Sequence, residues 1–386
     1  MGGATVNHKK LFDMLRKLRL KMKRNALFIK GGSGIGKSEA VEDEAIDYSK
    51  TINREFIRWN EMSTEQRETL LAPDSNLDKV HVWVDMRMAD KQATDLLGMP
   101  DFTKGRFVEW KPRLLFAVLS DPRCSATLFF DEFNLSQKTV QSASYQTILD
   151  RCVGDVTLSK DVFIVAAGNR IEDNKTVIES APPLNNRFYH VTLMVPTADE
   201  WIDYNMSSDF PEPRLWGFLK AKEEYIHNYK ANQKEEAFST PRRLQFLAED
   251  LKGVTDDDKA TIELYSVSGC GPNFGELFLT YLDMAKKVDV DAILEKPETV
   301  VPYLKEPDLR YSILTTISYK CKRDNEKTPK ALVVAEFLSD EDAVFLVRLL
   351  GESVGKKAIL RAIRSGTSWE KIGPKVEPIM STWERA

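Results

Sequence analysis

The sequence predicts a three-layer α/β domain that is followed by helices, and three observations carry this prediction. Short apolar runs of strand length alternate with longer segments over about the first 196 residues. A glycine-rich turn follows the first of these runs, and a helical pattern begins directly after it. Beyond about residue 197 the strand-like runs stop, and helical periodicity continues toward the end of the chain. Strands joined by crossover helices typically form a parallel sheet with helices on both faces.

Five apolar runs are predicted to form the strands of one parallel sheet, over residues 26–30, 80–85, 126–131, 162–167 and 189–193. The third run is continuously apolar up to its last residue, as expected for a strand that is buried on both faces. The clearest crossover helix covers residues 36–48, where Val41, Ala45 and Tyr48 fall on one face at helical spacing. This part of the chain is therefore expected to be an α/β domain over residues 25–196.

Helices are predicted on either side of this domain. Basic residues interleave with apolar ones over residues 1–24, which predicts a solvated amphipathic helix rather than a membrane or nucleic-acid anchor. Residues 197–285 are expected to form one helical part and residues 286–386 a helical C-terminal extension. Prolines recur among charged residues between 286 and 307, and this composition marks a seam between the two parts.

The composition is that of a soluble globular chain. The 386 residues include 55 Lys or Arg and 59 Asp or Glu, so the formal net charge is −4, and 42% of the residues are apolar. This balance argues against a disordered chain and against a protein that mainly coats duplex DNA. No apolar run approaches the ~18–20 residues needed to cross a bilayer, and the first residues lack the pattern of a signal peptide. The four cysteines and four histidines form no ligand-spaced group, which favours reduced thiols and a cytoplasmic protein without structural zinc.

A phosphate-binding loop is predicted after the first strand. The pattern G-x-x-x-x-G-K-[ST] is filled in full by Gly31, Gly32, Ser33, Gly34, Ile35, Gly36, Lys37 and Ser38. The glycines let backbone N–H groups turn toward phosphate oxygens, and the helix that follows adds its positive dipole. Lys37 is placed to reach the β- and γ-phosphates, Ser38 to bind Mg²⁺, and Glu39 completes the stretch assigned to the nucleotide. With a strand before it and a helix after it, the loop indicates a nucleotide site rather than a chance glycine-rich turn.

Two acids and an amide extend this site at the ends of later strands. Asp131 closes a buried strand, where a carboxylate beside a phosphate loop can hold Mg²⁺ directly or through water. Glu132 follows it, and a carboxylate there can orient and deprotonate the water that attacks the γ-phosphate. Asn169 follows the next strand, where its amide can touch the γ-phosphate or that water. The alternatives are acids that cap a strand into solvent and a glycine–asparagine turn with no role in binding.

In this order the motifs resemble the AAA+ ATPases, and more narrowly their MoxR-type branch, which includes dynein-related modules. The similar segments, in that branch's order, are residues 95–98, 105–110, 130–134, 167–169, 184–188 and 240–242. The likeness covers roughly residues 24–285 and is thin outside them. It implies an AAA+ core with a helical lid, ATP and Mg²⁺ as cofactors, and hydrolysis of ATP to ADP and phosphate. The choice of ATP over GTP rests on this resemblance.

The resemblance also implies roles for single residues. Asn169 would be sensor 1, and Arg242 at a helix start would be sensor 2, with Arg243 beside it as the other candidate. Arg187 would be an arginine finger that enters a neighbouring subunit's site and neutralises charge on the γ-phosphate. Its alternative is a surface arginine that pairs with an acid. A finger acting in trans requires an oligomer, and the family's usual state is a hexameric ring of identical subunits.

Two hairpins are predicted to interrupt the α/β domain. One covers residues 102–113 with a Lys-Gly turn, and the other covers residues 152–158 with a Gly-Asp turn between β-branched pairs. In related rings such hairpins line the pore, which makes Lys104, Arg106 and Lys160 candidates for gripping a partner. The alternative is that the aromatic residues of the first hairpin are simply packed side chains.

Three functions remain open at this stage. The resemblance implies foremost an ATP-driven remodelling motor or chaperone of the MoxR type that acts on a protein client, and it suggests a client with a von Willebrand A-type domain. The alternative is an AAA+ nucleic-acid motor or loader, similar to clamp or helicase loaders. The net charge and the lack of a recognisable nucleic-acid module argue against that alternative. A non-catalytic nucleotide switch is the third, and Glu132 argues against it.

Overall fold

The computed structural model describes residues 4–21, 26–103, 108–173, 176–178, 185–229, 236–365 and 369–385. The chain divides into two compact units, Met1–Val195 and Pro196–Ala386. We call them the α/β unit and the helical unit. The α/β unit has two hydrophobic clusters and the helical unit has one, and each unit is described by itself.

Every strand among the described residues lies in the α/β unit. In chain order they are β1 (Ala4–Val6), β2 (Ala26–Lys30), β3 (Glu55–Arg58), β4 (Val80–Arg87), β5 (Met99–Asp101), β6 (Glu109–Lys111), β7 (Ser125–Asp131), β8 (Cys152–Val153), β9 (Val156–Thr157), β10 (Val162–Gly168) and β11 (Phe188–Leu193). Seven of them form one sheet in the order β1-β11-β2-β10-β7-β4-β3, and all neighbouring pairs are parallel.

This sheet contains all five predicted strands, which are β2, β4, β7, β10 and β11, but the predicted number of five is too low. The two further strands, β1 and β3, are its edges. β1 has three residues, and β3 has four that are half-buried or exposed, so neither gives a continuous apolar run. Both extend an existing sheet by pairing with β11 and β4, and that pairing depends on the fold rather than on local sequence.

Helices cover both faces of the sheet. They are α1 (His8–Lys21), α2 (Lys37–Thr51), α3 (Thr64–Thr69), α4 (Ala93–Leu97), α5 (Leu114–Ser120) and α6 (Lys138–Leu149). Side chains alternate along each strand, so that Leu27 and Phe129 pack in the layer of α1 and α2 while Phe28 and Leu128 pack in the opposite layer. The predicted three-layer α/β core is therefore confirmed.

The N-terminal helix differs from its predicted bounds of 1–24. It begins only at His8, because the residues before it pair as β1, and residues 22–25 lie outside the described ranges. Leu11 and Leu15 are fully buried and pack against the same core as Val41 and Ala45 of α2. One face of α1 is thus part of the α/β layer rather than solvated.

The helical unit contains no strand among its described residues. Its helices are α7 (Ala198–Met206), α8 (Pro213–Ala221), α9 (Pro241–Asp250), α10 (Lys259–Cys270), α11 (Pro272–Met284), α12 (Val290–Glu295), α13 (Pro307–Arg323), α14 (Thr328–Val334), α15 (Asp340–Leu350), α16 (Lys356–Ser365) and α17 (Trp369–Arg385). The predicted α/β core followed by helices is thereby confirmed.

A single hydrophobic core runs through this unit from Ala198 to Met380. α8 packs against α13 so closely that a Cβ at Gly217 would overlap Tyr281 Oη of α11 and Thr315 Oγ1 of α13. The seam predicted over residues 286–307 therefore does not separate two cores.

Two antiparallel hairpins interrupt the α/β unit. β8 pairs with β9, as predicted for residues 152–158. β5 pairs with β6, so the first arm of the other hairpin lies before Phe102 rather than after it, and Phe102 itself is 74% exposed. Lys104 and Arg106 lie outside the described residues, while Lys160 is exposed. Across the described part of the chain, no helix has the length and apolar character of a membrane span.

Candidate nucleotide site

The order of the strands brings the predicted site residues to one edge of the sheet. β2 leads into the phosphate loop, β10 leads into Asn169, and β7 ends on Asp131, and these three strands are neighbours in the order β2-β10-β7. Parallel strands have their carboxyl ends at the same edge, which is where ligands bind in open α/β sheets. The backbone N–H of Gly31 donates to the carbonyl of Gly168 over 3.2 Å, so the start of the loop is joined directly to the end of β10.

The phosphate loop has a backbone that requires glycine. Gly34 and Gly36 have φ angles of +70° and +88°, where a Cβ is disfavoured. Gly36 is the N-cap of α2 and has no side chain to cap the helix, so its first turn presents backbone N–H groups to a ligand. This is the geometry that cradles phosphate oxygens at a helix N-terminus.

Lys37 connects the loop to the end of β10. Its side chain is buried in the loop, and Nζ donates to the carbonyl oxygens of Gly31 over 3.1 Å and Gly32 over 2.7 Å. The same Nζ lies 3.5 Å from Oδ1 of Asn169. The structure therefore brings together two of the predicted residues that come from distant parts of the sequence.

Ser38 and Asp131 are also in direct contact. Ser38 Oγ donates to Asp131 Oδ2 over 2.9 Å. A hydroxyl and a carboxylate that lie within one hydrogen bond fit Mg²⁺, which takes oxygen ligands and usually keeps one or two protein carboxylates together with waters and substrate phosphates. Among the described residues no group of three His, Cys, Asp or Glu side chains has the geometry of a metal site.

Glu132 has an unusual backbone conformation. Its φ of +53° is in the left-handed region, which residues other than glycine seldom adopt and which costs of order 1–2 kcal/mol. Its N–H donates to Asp131 Oδ1 over 2.8 Å, and a short 3₁₀ turn follows over Phe133–Leu135. Strained backbone at a candidate catalytic residue is typical of sites where the surrounding structure holds a side chain in a set direction.

Asp85 is a neighbour of this site that the sequence analysis did not assign. It lies on β4, next to β7, where its residue pairs with Phe129. Burial, together with the nearby negative charge of Asp131, raises its pKa to about 6. One of its carboxylate oxygens has no hydrogen-bond partner among the described residues. The only sequence signal was a strand that ends on an acid, and strand order is needed to place that acid beside Asp131.

Two further residues contact the site and were not assigned from the sequence. His8, at the start of α1, has its Nε2 at 2.7 Å from the carbonyl oxygen of Ile35 in the phosphate loop. Asn134 forms two hydrogen bonds with the backbone of Asn169. Both contacts join segments that are far apart in sequence, so no local pattern could have revealed them.

Arg187 lies away from these residues. It directly precedes β11, whose first residue Phe188 pairs with Ala26, the first residue of β2. The phosphate loop follows the other end of β2. Arg187 is half-buried, its guanidinium lies 5.6 Å from the ring centre of Tyr145, and it forms no ion pair with the residues that the structure describes. Among the described residues, Arg187 therefore has no acidic partner of the kind expected for a surface arginine.

Arg242 and Arg243 lie at the start of α9 in the helical unit and differ in their contacts. Arg243 Nε donates to the carbonyl oxygen of Gly269 over 3.1 Å, and its backbone N–H donates to Thr240 Oγ1 over 3.2 Å. The Arg242 side chain is exposed. Arg243 is thus engaged within the helical unit, and Arg242 is the one that is accessible to a ligand.

The chain matches no family model, and no curated protein matches it. Solved structures with which it aligns include PCH-2 of C. elegans, at 12% identity and a TM-score of 0.28, with 71% of this chain and 65% of that chain covered. The chain thus spans just under two thirds of PCH-2.

Two more alignments are similar in quality. The RuvB Holliday junction branch migration motor of Thermotoga maritima is 13% identical with a TM-score of 0.35, and 75% of this chain and 80% of that chain are covered. The ORC1 protein of Aeropyrum pernix in complex with DNA is 13% identical with a TM-score of 0.34, and 80% and 76% are covered. Because these TM-scores are low, we infer neither family nor function from them.

Proposed function

We propose that this chain is an ATPase of the AAA+ type that binds ATP at the phosphate loop and hydrolyses it to ADP and phosphate. Two contacts at the carboxyl edge of the sheet carry the proposal: Lys37 contacts Asn169, and the next residue, Ser38, contacts Asp131. Four polar residue types that suit phosphate and Mg²⁺ come from the start of α2, the end of β7 and the residue after β10. A packing role for the folded protein would not require that combination.

Each residue has a role in this proposal. The Lys37 ammonium, which now donates to loop carbonyls, would turn its donors to the β- and γ-phosphates, and the loop N–H groups would bind the remaining oxygens. Ser38 and Asp131 would hold Mg²⁺, which neutralises charge on the phosphate oxygens when it is bound. Glu132 would accept the proton of the attacking water, and Asn169 would orient that water or the γ-phosphate.

The position of Arg187 supports a finger that acts in trans. The register of β11 with β2 places Arg187 level with the start of β2, while the phosphate loop begins five residues later, at the other end of the strand. At 3.3 Å per residue this is about 16 Å from its own phosphate loop, well beyond the reach of hydrogen bonding. We therefore propose that Arg187 completes the site of a neighbouring copy in a homo-oligomeric ring, with a hexamer as the expected size.

Our proposal for the branch of the family and for the protein client is based on the sequence motifs. We propose a MoxR-like enzyme that remodels or chaperones a protein partner, with a von Willebrand A-domain protein as the first candidate. The proposal includes Arg242 as sensor 2, and the engagement of Arg243 within the helical unit supports that choice.

The catalytic assignment is tested by Glu132→Gln. We expect kcat for ATP hydrolysis to fall about 10²–10⁴-fold, because a general base is lost, while a fluorescent ATP analogue still binds in the presence of Mg²⁺. Glu68→Gln, on an exposed face of α3, is the matched control and should leave both quantities unchanged. A Glu132→Gln protein that hydrolyses ATP at the wild-type rate would refute the assignment.

The trans finger is tested by mixing. Arg187→Ala and Glu132→Gln chains should each be inactive alone, and their mixture should regain part of the activity, because some interfaces then pair an intact base with an intact arginine. Native mass spectrometry in ATP gives the ring size. Absence of recovery in rings shown to be mixed would count against Arg187.

The client is tested by affinity capture with Glu132→Gln in ATP, followed by a binding assay with the purified von Willebrand A-domain protein that is recovered. Stimulation of the wild-type ATPase by DNA that falls steeply with salt would favour the nucleic-acid motor instead.

A further inference from the structure

Asn134 lies in the short turn that follows Glu132, and its side chain joins that turn to the end of β10. Only 5% of the residue is exposed. Its Nδ2 donates to the carbonyl oxygen of Asn169 over 2.7 Å, and its Oδ1 accepts from the N–H of Asn169 over 3.0 Å. One side-chain amide thus forms both hydrogen bonds to the backbone of a single residue.

We propose that Asn134 is a positioning residue that sets the direction of the Asn169 side chain toward the phosphate site. This inference rests on the proposed ATPase function and adds a residue to it. The N–H and the C=O of Asn169 belong to the two peptide groups on either side of its Cα, so these hydrogen bonds restrain both groups. The direction in which the Asn169 side chain leaves the backbone follows from the orientation of those two groups. In this orientation the Oδ1 atom of Asn169 lies 3.5 Å from Nζ of Lys37.

Gly168 provides independent support, because its lack of a side chain makes room for Asn134. A Cβ at position 168 would overlap Asn134 Oδ1 and would lie 2.6 Å from its Cγ. Gly168 has an ordinary backbone conformation rather than a positive φ, so glycine is needed there for space and not for flexibility. Gly168 therefore leaves space for the Asn134 amide that forms the two hydrogen bonds to Asn169.

The backbone of Asn134 extends the same connection. Its carbonyl oxygen accepts from the N–H of Ile178 over 2.8 Å, so the turn is joined to the chain beyond Asn169 as well. Because Glu132 is two residues before Asn134 and begins the same turn with its positive φ, the candidate base and the support of Asn169 belong to one short segment. A shift of this turn would displace Glu132 and the Asn134 amide together, and Asn169 would move with that amide. The positions of Glu132 and Asn169, which face the γ-phosphate in the proposed function, are therefore coupled.

The first test is kinetic. Asn134→Ala removes both hydrogen bonds, and we expect kcat to fall about 10-fold or more while the Kd for a fluorescent ATP analogue changes less than about 3-fold, because misplacement affects the reacting groups more than the phosphate cradle. Gly168→Ala should give the same split, since its Cβ displaces the Asn134 amide. Asn134→Asp, which is close in shape but lacks the Nδ2 donor, provides a third variant should the alanine protein fail to fold.

A double-mutant cycle separates positioning from general damage. If Asn134 acts through Asn169, Asn134→Ala should cause no further loss of kcat in an Asn169→Ala background. Independent, multiplying losses would overturn the proposal. Asn205→Ala is the matched control, because Asn205 is another buried asparagine with hydrogen bonds to backbone, but in the helical unit. It should lower the melting temperature and leave kcat unchanged at a temperature where the protein is folded.

A second readout does not depend on turnover. In ¹H–¹⁵N spectra of the nucleotide-free protein, the side-chain amide signals of Asn169 should shift or broaden in Asn134→Ala and in Gly168→Ala, and not in Asn205→Ala. Unchanged Asn169 signals would overturn the positioning role even if the ATPase is confirmed. A wild-type chain without ATPase activity whose Asn169 signals do shift would instead refute the proposed function and leave the contact as a structural one.

Discussion

Each unit of this protein has a buried basic side chain that pairs with acids, and the two pairings differ in how far the acids are exposed. In the α/β unit, Arg19 of α1 pairs with Glu44 of α2 over 2.9 Å, and the two side chains are 4% and 0% exposed. In the helical unit, Lys220 is 7% exposed, but its partners Asp199 and Glu341 are 53% and 66% exposed. Both networks join helices, but only the first removes both charges from water.

This difference has an energetic consequence. Loss of one partner of a fully buried pair leaves an uncompensated charge, which costs much more than the pair itself contributes. Loss of an exposed partner leaves a group that water solvates on one side. Loss of Glu44 is therefore expected to cost the α/β unit more than loss of Glu341 costs the helical unit, whose stability also depends on one continuous apolar core.

The largest effect is expected from a truncation that removes part of the apolar core of the helical unit. A chain that ends at residue 285 loses α12 to α17, and the buried side chains of α8 and α11, including Trp216 and Phe278, lose much of their packing. The helical unit should then unfold or aggregate, seen by gel filtration and far-UV circular dichroism. A chain that ends at Val195 is the control, since the α/β unit has separate cores, and it should keep a cooperative unfolding transition. A well-folded helical unit in the 1–285 chain would contradict the single core.

The second prediction compares the two charge networks directly. Glu44→Ala leaves the Arg19 guanidinium buried without its partner and should reduce the free energy of unfolding of the α/β unit by about 3–5 kcal/mol. Glu341→Ala in the helical unit should cost about 0–1 kcal/mol, because Glu341 is exposed and Lys220 keeps Asp199. Urea unfolding followed by domain-specific probes measures both. Equal losses in the free energy of unfolding would show that burial of both partners does not determine how much a charge pair contributes to stability.

The third prediction concerns acid. Burial, with the charges of Arg19 and Arg54, lowers the pKa of His81 from its ordinary 6.5 to about 3, and its ring lies between the hydroxyls of Ser125 and Thr127. A folded-state pKa below the unfolded one means that stability is present above pH 6.5 and is lost as pH falls toward 3. Between pH 6.5 and 5 this amounts to about 2 kcal/mol in the α/β unit.

His81→Gln removes the titrating group and keeps a side chain that can donate and accept. The loss of stability of the α/β unit between pH 6.5 and 5 should then become shallower than in the wild type, as measured by urea unfolding at each pH. An unchanged pH dependence would show that other groups govern the acid sensitivity.

The smallest effect is expected at Asp85. Its pKa is raised to about 6, so the carboxyl favours the folded state when it is protonated, and that contribution is lost as pH rises through 6. Asp85→Asn should therefore stabilise the nucleotide-free α/β unit at pH 8 by about 1–2 kcal/mol, after allowance for solvent screening of a partly exposed group. Below pH 4 the difference should vanish. Thermal unfolding in EDTA at both pH values is the measurement, and a destabilised variant at pH 8 would contradict it.

Much of the candidate site could be predicted because its motifs are local. The phosphate loop is eight consecutive residues with a strand before it and a helix after it, and Asp131 with Glu132 follows an apolar run of strand length. Such patterns follow from the backbone and burial requirements of neighbouring residues, so they are visible without the fold.

The site residues that the sequence did not reveal depend on contacts between segments that are distant in sequence. Asp85 becomes relevant only because β4 lies beside β7, and Asn134 only because its turn meets the end of β10. The same holds for β1 and β3, which are strands because a neighbouring strand offers them backbone partners. Pairing of distant segments is a property of the assembled sheet, and a linear pattern does not contain it.

The sequence by itself determined the α/β class, the phosphate loop with its glycines, and the order of polar residues at strand ends. Only the tertiary structure decided that the sheet has seven strands, that one core runs across residues 285 and 286, and that Asn134 meets Asn169. The physical reason is the range of the interactions. Backbone conformation and side-chain periodicity act over a few residues, whereas strand order, shared cores and amide contacts depend on segments that approach each other only when the chain is folded.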